Sequence, residues 1–267
     1  YDTGRFNNPT PTVPLRHAAL YPLVLMLGCV PVSRLNCAER GIPENLYLPV
    51  ADRALRNQMA RFAEGDMRIA DFPWDMNFYT GFIFLLDRFY FIAVPYEDDV
   101  DFWRNHRTGR VVGLMTKETA FRRDGQYDSL NGVRDPESFR SQYRETKESV
   151  VANPINPAGF LERETVVLNQ AEWQRVLHRG DMVLGFHIPS GPGYDPERFR
   201  VSSVMALDFF RRFFPEWDIK GIWSESWLYD PRLSLFLDAD RSNIARMQHQ
   251  MYLYPRDWGA GMLKDEL

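Results

Sequence analysis

Between Met182 and Trp227 the chain reads MVLGFHIPSGPGYDPERFRVSSVMALDFFRRFFPEWDIKGIWSESW. This is strand, tight turn, long amphipathic helix and second strand, and it constrains the fold more than any other stretch. Met182 to Pro189 is short, apolar and closed by a proline, as a buried strand is, and Ser190-Gly191-Pro192-Gly193 supplies turn chemistry. Asp195 is placed to cap a helix, Pro196 suits its first position because the missing N–H would be unpaired there anyway, and Glu197 suits the positive end of the helix dipole. Phe199, Val204, Met205, Phe209 and Phe213 then recur at roughly helical spacing. Lys220 to Trp227 reads as the next strand, parallel to the first because a crossover helix joins them.

A helix start of this kind presents unpaired backbone N–H groups and a partial positive charge, so the turn can cradle a diphosphate. It is not a dinucleotide fingerprint, because Pro196 stands where a third glycine belongs, and no Gly-Lys-Ser/Thr follows. A purely structural connection between strand and helix accounts equally well for the turn alone.

Elsewhere the order of elements is read from periodicity and punctuation. Tyr1 to Val13 is polar and reads as an extended arm. Helices are predicted over Leu15–Leu27, Val32–Arg40 and Pro43–Glu64, with Gly28, Gly41 and Gly65 as stops. From Gly81 the period changes, and Phe82–Leu86 and Arg88–Val94 read as strands joined by a tight turn, with Val111–Met115 a further strand after Thr108-Gly109. Lys117 to Ala158 is charged and rich in Asn-Gly, Asp-Pro and Asn-Pro pairs, which predicts an exposed helix between loops.

The 267 residues, 45% of them hydrophobic, suffice for a substantial core. A net charge of −4 argues against a nucleic-acid surface, and the 14% aromatic content reads as core rather than base-stacking platform. Cys29 and Cys37 fit neither a disulfide scaffold nor a zinc or redox spacing. His106, His178 and His249 are scattered without ligand spacing, and Asp98, Asp99 and Asp101 read as a solvated hairpin end, so no metal site is expected. The apolar run Ala18–Val30 is about half to two-thirds of a membrane span and contains Pro22 and Gly28, which favours a core helix and no membrane association. Lys264-Asp265-Glu266-Leu267 spells an endoplasmic-reticulum retention signal, an alternative to the cytoplasmic location otherwise expected.

Several short motifs recur together. They are His187-Ile188-Pro189, the Gly191–Gly193 turn, Pro196-Glu197, Ser226-Trp227-Leu228, Asp230-Pro231-Arg232-Leu233 and Ser242-Asn243-Ile244, preceded by Arg40-Gly41-Ile42-Pro43, Asp52 and Arg88-Phe89-Tyr90-Phe91. Together they resemble the GNAT-like acyltransferases of bacteria, in which a GNAT-like C-terminal domain follows a helical region. The resemblance implies an α/β fold with a mixed, partly parallel sheet behind a helical N-terminal region, divided at about 1–70 and 71–267, with strands able to be shared across the boundary. It implies acetyl-CoA or another acyl-CoA as co-substrate and a small-molecule or peptide amine as acceptor. It also differs from the family in two places. Where the family usually has Cys-His before Ser-Trp, this chain has Ser224-Glu225, so an acid/base role there passes to a carboxylate or is absent. The family pattern also continues into further strands beyond Leu267, so a strand completing the sheet is expected to be missing.

His187 closes one strand of the βαβ unit and Glu225 lies comparably on the next, where ligands bind in open parallel sheets. A histidine beside a carboxylate can take a proton from an ammonium group; the alternative is a histidine that merely caps the sheet. As the fold implies, Ser190, Gly191 and Gly193 hold the pyrophosphate and Trp227 borders the thioester, although a core role for Trp227 is the simpler reading. A tyrosine after the fifth strand protonates the departing thiolate in the wider superfamily, and Tyr229 holds that place here, with packing as its other explanation. The function expected is acyl transfer from acyl-CoA to an amine. A non-catalytic acyl-CoA or small-ligand sensor and a structural module remain open, and nothing in the sequence sets the oligomeric state.

Overall fold

The computed structural model describes residues 20–65 and 72–257. The arm expected over residues 1–13, the boundary at Asp71 and the terminal Lys264-Asp265-Glu266-Leu267 lie outside those residues.

Three helices come first: α1 (Leu20–Glu39), α2 (Leu48–Ala63) and α3 (Phe72–Thr80), with a 3-10 turn at Glu44–Leu46. Gly41 and Gly65 stop their helices as expected, at φ +70° and +90°, conformations that only glycine adopts without strain. Gly28 has no positive φ. The two helices expected around it are therefore one, continuous through Pro31. Packing holds that continuity despite the hydrogen bond Pro31 cannot donate: Leu23 and Met26 are buried against Tyr79 of α3, and Ser33 and Cys37 are also buried. The helix expected over Pro43–Glu64 is instead broken at Tyr47, whose backbone is neither helical nor extended. The reading of Ala18–Val30 as a core helix holds for one face only. Tyr21, Val24, Val32 and Leu35 are 70%, 64%, 56% and 66% exposed. By length and composition Tyr21–Glu39 is apolar enough to cross a membrane.

β1 (Ile83–Leu86) and β2 (Phe89–Pro95) form the expected antiparallel hairpin, turning at Asp87 with φ 56°. β3 (Val100–Asn105) and β4 (Val111–Met115) form a second. The exposed helix expected after Lys117 is absent. In its place are β5 (Ala120–Phe121), β6 (Phe139–Arg140), β7 (Tyr143–Glu145), β8 (Ser149–Ala152) and β9 (Pro154–Ile155). The apolar residues here are few but alternate: Val150 and Ala152 are fully buried while Ser149 and Val151 are only partly covered. Asn153, at 1% exposure, accepts from Gln142 N–H at 2.7 Å and donates to the carbonyls of Glu162 and Arg163 at 3.0 and 2.8 Å. A side chain that reads as a loop signal thus pairs three backbone groups of two other segments.

The remaining elements are β10 (Val166–Asn169), β11 (Trp173–Leu177), β12 (Met182–His187), α4 (Pro196–Phe213), β13 (Ile219–Trp223) and α5 (Asn243–Gln248). The principal sheet has the order β1-β2-β12-β13, with β12 and β13 parallel and the other pairs antiparallel. Smaller sheets β11-β3-β4-β9, β10-β8-β7 and β5-β6 lie beside it. α4 covers one face of the principal sheet: Phe84, Phe89, Phe91, Leu184 and Phe186 pack with Ala206, Phe209, Phe210 and Phe214, all buried. At about 1.5–3 kcal/mol for each large apolar side chain removed from water, this cluster fixes α4, and hence the turn before it, against the strand ends.

Candidate active site

The β12–β13 pairing runs Met182↔Ile219, Leu184↔Ile222, Gly185↔Trp223, and stops there. β12 continues against β2 to His187↔Tyr90. Beyond Gly185 the two parallel strands therefore part, leaving a fork at their C-terminal ends. The Ser224 hydroxyl donates to the Phe186 carbonyl at 2.9 Å and closes the vertex. The chain then bends away. Ser226 caps a 3-10 turn over Trp227–Tyr229 and Asp230 caps another over Pro231–Leu235. The strand expected to reach Trp227 thus ends at Trp223, and Glu225 and Trp227 lie on the segment that leaves the sheet.

On the other side of the fork, Gly191 and Gly193 adopt φ +112° and +88°. Arg88 fixes the turn: its Nε donates to Pro192 O at 2.6 Å and its Nη2 to Pro189 O at 2.6 Å and Gly191 O at 2.8 Å. With these carbonyls turned to the guanidinium, no hydrogen bond among the described residues is donated by the N–H of Gly191 or Gly193. Asp195 caps α4, accepting from Arg198 N–H at 3.0 Å. A positively polarised helix start, unpaired N–H groups and a guanidinium are therefore grouped at one end of the sheet, a fit for a phosphate group.

A cavity of about 1200 Å³ opens along β13. One wall comes from the α4 side of the sheet (Phe186, Phe199, Leu207) and another from the aromatic cluster beneath the smaller sheets (Tyr96, Phe102, Tyr127). Glu225, Trp227 and Tyr229 line it together. His187, Ser190, Gly191 and Gly193 do not. His187 faces α3, its ring centroid 4.2 Å from that of Trp74, and burial pushes its pKa down to about 4. No hydrogen bond or ion pair among the described residues joins it to Glu225, so the structure does not bring these two expected partners together.

Glu225 has another partner. Its Oε1 accepts from Arg256 at 2.8 Å, and the other arm of that guanidinium is paired with Asp98. Asp98 further accepts from the Trp223 indole at 2.8 Å and from the Tyr254 hydroxyl. Burial pushes the Glu225 carboxyl up to about 7. Tyr229 and Tyr194 share a hydrogen bond at 3.3 Å, and burial raises the Tyr229 phenol, keeping it a proton donor at neutral pH.

The family of GNAT-like C-terminal domains matches residues 116–264, more than half of the chain. The chain belongs to this family. Its GNAT-like fold extends beyond the matched range, since β1 and β2, which precede residue 116, complete the principal sheet. Among solved structures, an acyltransferase mutant in complex with octanoyl-CoA is similar at a TM-score of 0.52 and 20% identity, over 90% of this chain and 50% of that one. An acyltransferase in complex with decanoyl-CoA is similar at 0.52 and 18%, over 90% and 51%. The chain thus spans about half the length of these relatives in structure, and the likeness establishes the fold. No curated protein matches it in sequence.

Sequence reasoning missed Arg88, Asp98, Tyr194, Tyr254 and Arg256 in this GNAT-like domain. Asp98 is corrected most sharply: expected at a solvated hairpin end, its side chain is 10% exposed and ion-paired. Asp101, in the same group, is buried beside Arg175 at 3.1 Å. No local pattern distinguishes a solvated acidic run from one whose partners arrive from distant segments.

Proposed function

We propose that this protein transfers an acyl group from an acyl-CoA to an amine, with Glu225 as the base. The observation that carries the reading is the fork beyond Gly185 and Trp223, which opens beside a capped helix start and a large apolar cavity where Glu225, Trp227 and Tyr229 meet. The acyl-CoA complexes of the structurally similar acyltransferases support the choice of donor. The diphosphate of the donor is held by the N–H groups of Gly191 and Gly193, with Ser190 and Arg88 beside them, and the thioester enters the fork next to Trp227. The extent of the cavity's aromatic wall favours acyl chains longer than acetyl.

In this mechanism the amine nitrogen attacks the thioester carbonyl, forming the C–N bond as the C–S bond breaks. The proton lost by nitrogen passes to the Glu225 carboxylate, and the electron pair left on sulfur takes the Tyr229 phenolic proton. Holding both reactants in one largely apolar cavity supplies the proximity that the reaction needs.

The test is turnover of octanoyl-CoA over a panel of primary amines. Glu225→Gln should lower kcat by roughly 10²–10⁴-fold with little change in the apparent affinity for octanoyl-CoA. A variant that keeps wild-type turnover removes Glu225 as base. Saturable octanoyl-CoA binding with no turnover on any amine favours a ligand sensor on the same fold, and no binding at all favours a structural module.

A further inference from the structure

Glu225 is one of two carboxylates on a single cation. Asp98 lies in the loop that follows β2, Glu225 just beyond β13, and Arg256 near the end of the described chain, and the three meet where Glu225 and Arg256 line the cavity. The pairs use different arms of the guanidinium, Nη1 to Asp98 and Nη2 to Glu225. An arginine spans two carboxylates in this way because its donors are fixed in a planar fork, a geometry that an ammonium does not reproduce. The two anions are not held alike. Asp98 also receives the Trp223 indole N–H and the Tyr254 hydroxyl, whereas among the described residues Glu225 accepts only from Arg256 and its second oxygen accepts no hydrogen bond.

We propose that Arg256 is the positioning residue for Glu225: clamped to Asp98, it opposes the protonation of the buried Glu225 carboxyl and fixes it by one oxygen, leaving the other for the proton of the incoming amine. The inference rests on Glu225 being the base argued above, and it adds what makes a buried carboxylate usable. Without a cation, burial holds such a group protonated near neutral pH, when it cannot accept a proton. Asp98 divides the guanidinium charge, so Glu225 stays basic enough to act and is not neutralised as completely as in an isolated pair. The charges around this clamp are the Tyr254 and Tyr96 phenols, which feel Glu225 and Arg256, and the Asp257 carboxylate, which acts on Arg256 from the same segment. Tyr229, in the 3-10 turn, lines the same cavity as Glu225. The other charged side chains on the cavity wall are paired among themselves or with neighbours, as Lys220 with Asp218, Arg200 with Glu197, Arg232 with Asp230 and Arg122 with Asp124.

The experiment is a carbon-13 NMR titration of the glutamate side-chain carboxyls over pH 4–9, with the Glu225 signal identified by its loss in Glu225→Gln. Arg256→Gln should raise the Glu225 midpoint by about one to two pH units, and Arg256→Lys should restore part of the difference. Asp98→Asn should shift it the other way, because the whole guanidinium charge then falls to Glu225. A folded Arg256→Gln protein, judged by circular dichroism, whose midpoint stays within a few tenths of wild type overturns the proposal. Where Arg256→Gln does not fold, Asp98→Asn and Arg256→Lys decide: a midpoint that rises or stays put in Asp98→Asn, or is unmoved in both, overturns it. No substrate enters the titration. It therefore stands apart from the turnover of Glu225→Gln, and a Glu225 that titrates as expected without being needed for turnover would sink the base assignment alone.

Discussion

His187 ends β12 with its ring against Trp74, and burial lowers its pKa from 6.5 to about 4. A depressed histidine is buried neutral, so between these two values the unfolded chain binds the proton more readily. Stability from this group is complete above about pH 6.5, is lost as pH falls toward 4, and changes no further below that. At pH 5 the loss is about 2 kcal/mol. Urea denaturation at pH 7.5 and pH 5 should show the wild-type protein losing more stability than His187→Gln by roughly that amount. Because His187 is absent from the cavity wall that Glu225 lines, His187→Gln should leave octanoyl-CoA turnover within a few-fold of wild type. A fall of a hundredfold or more in a folded variant would return the base to His187. The identity and strand-end position of His187 were legible in the sequence. Its partner was not, since Trp74 comes from a helix on the far side of the sheet.

At the scale of elements, the β12–turn–α4–β13 unit is the part of the chain that reads most directly, for reasons that are all local. Its strands are bounded by turn residues, its helix is capped at Asp195, and its apolar face has helical period. What local reasoning does not supply is the tether on the turn. Arg88, at the β1–β2 hairpin, holds three turn carbonyls, and a Cβ on Gly193 would sit 3.4 Å from the Arg88 Cδ. Gly193→Val therefore strains a backbone at φ +88° and presses on that side chain. Calorimetry with octanoyl-CoA should show binding weakened by about 1–3 kcal/mol, with unchanged affinity removing the turn from the site. The segment from Lys117 to Ala158 shows the opposite case. Its strands are two to four residues long, too short for alternation to stand out from a charged background, and two of them, β8 and β9, pair with β10 and β4 from other segments.

Across the whole molecule, the segment after α5 stitches separate parts together. The Tyr252 hydroxyl donates to Ile155 O and accepts from Gly113 N–H at 2.9 Å, its ring meets Phe102 edge-on at 5.2 Å, and Leu253 N–H donates to Pro157 O at 3.1 Å. Tyr252→Phe keeps the ring and removes the hydroxyl, leaving two partly buried backbone groups without that partner. Urea denaturation at pH 7.5 should report a loss of about 1–3 kcal/mol. A loss below about 0.5 kcal/mol would mean that water replaces the hydroxyl without cost.

Taken alone, the sequence determined the elements whose signals are carried by neighbouring residues: the parallel βαβ unit, the β1–β2 hairpin, the helix stops at Gly41 and Gly65, and the glycine turn before a capped helix. Period and punctuation act over a few residues, and tertiary packing reinforced them there. Tertiary structure alone decided that α1 runs through Gly28 and Pro31, that His187 and Glu225 face different surroundings, and that Glu225 shares Arg256 with Asp98. Whether a charged side chain is solvated or paired depends on burial and on which distant segment meets it. Neither quantity has a period along the chain, so Asp98 and Arg256 carried no sign of their role until the fold brought them together.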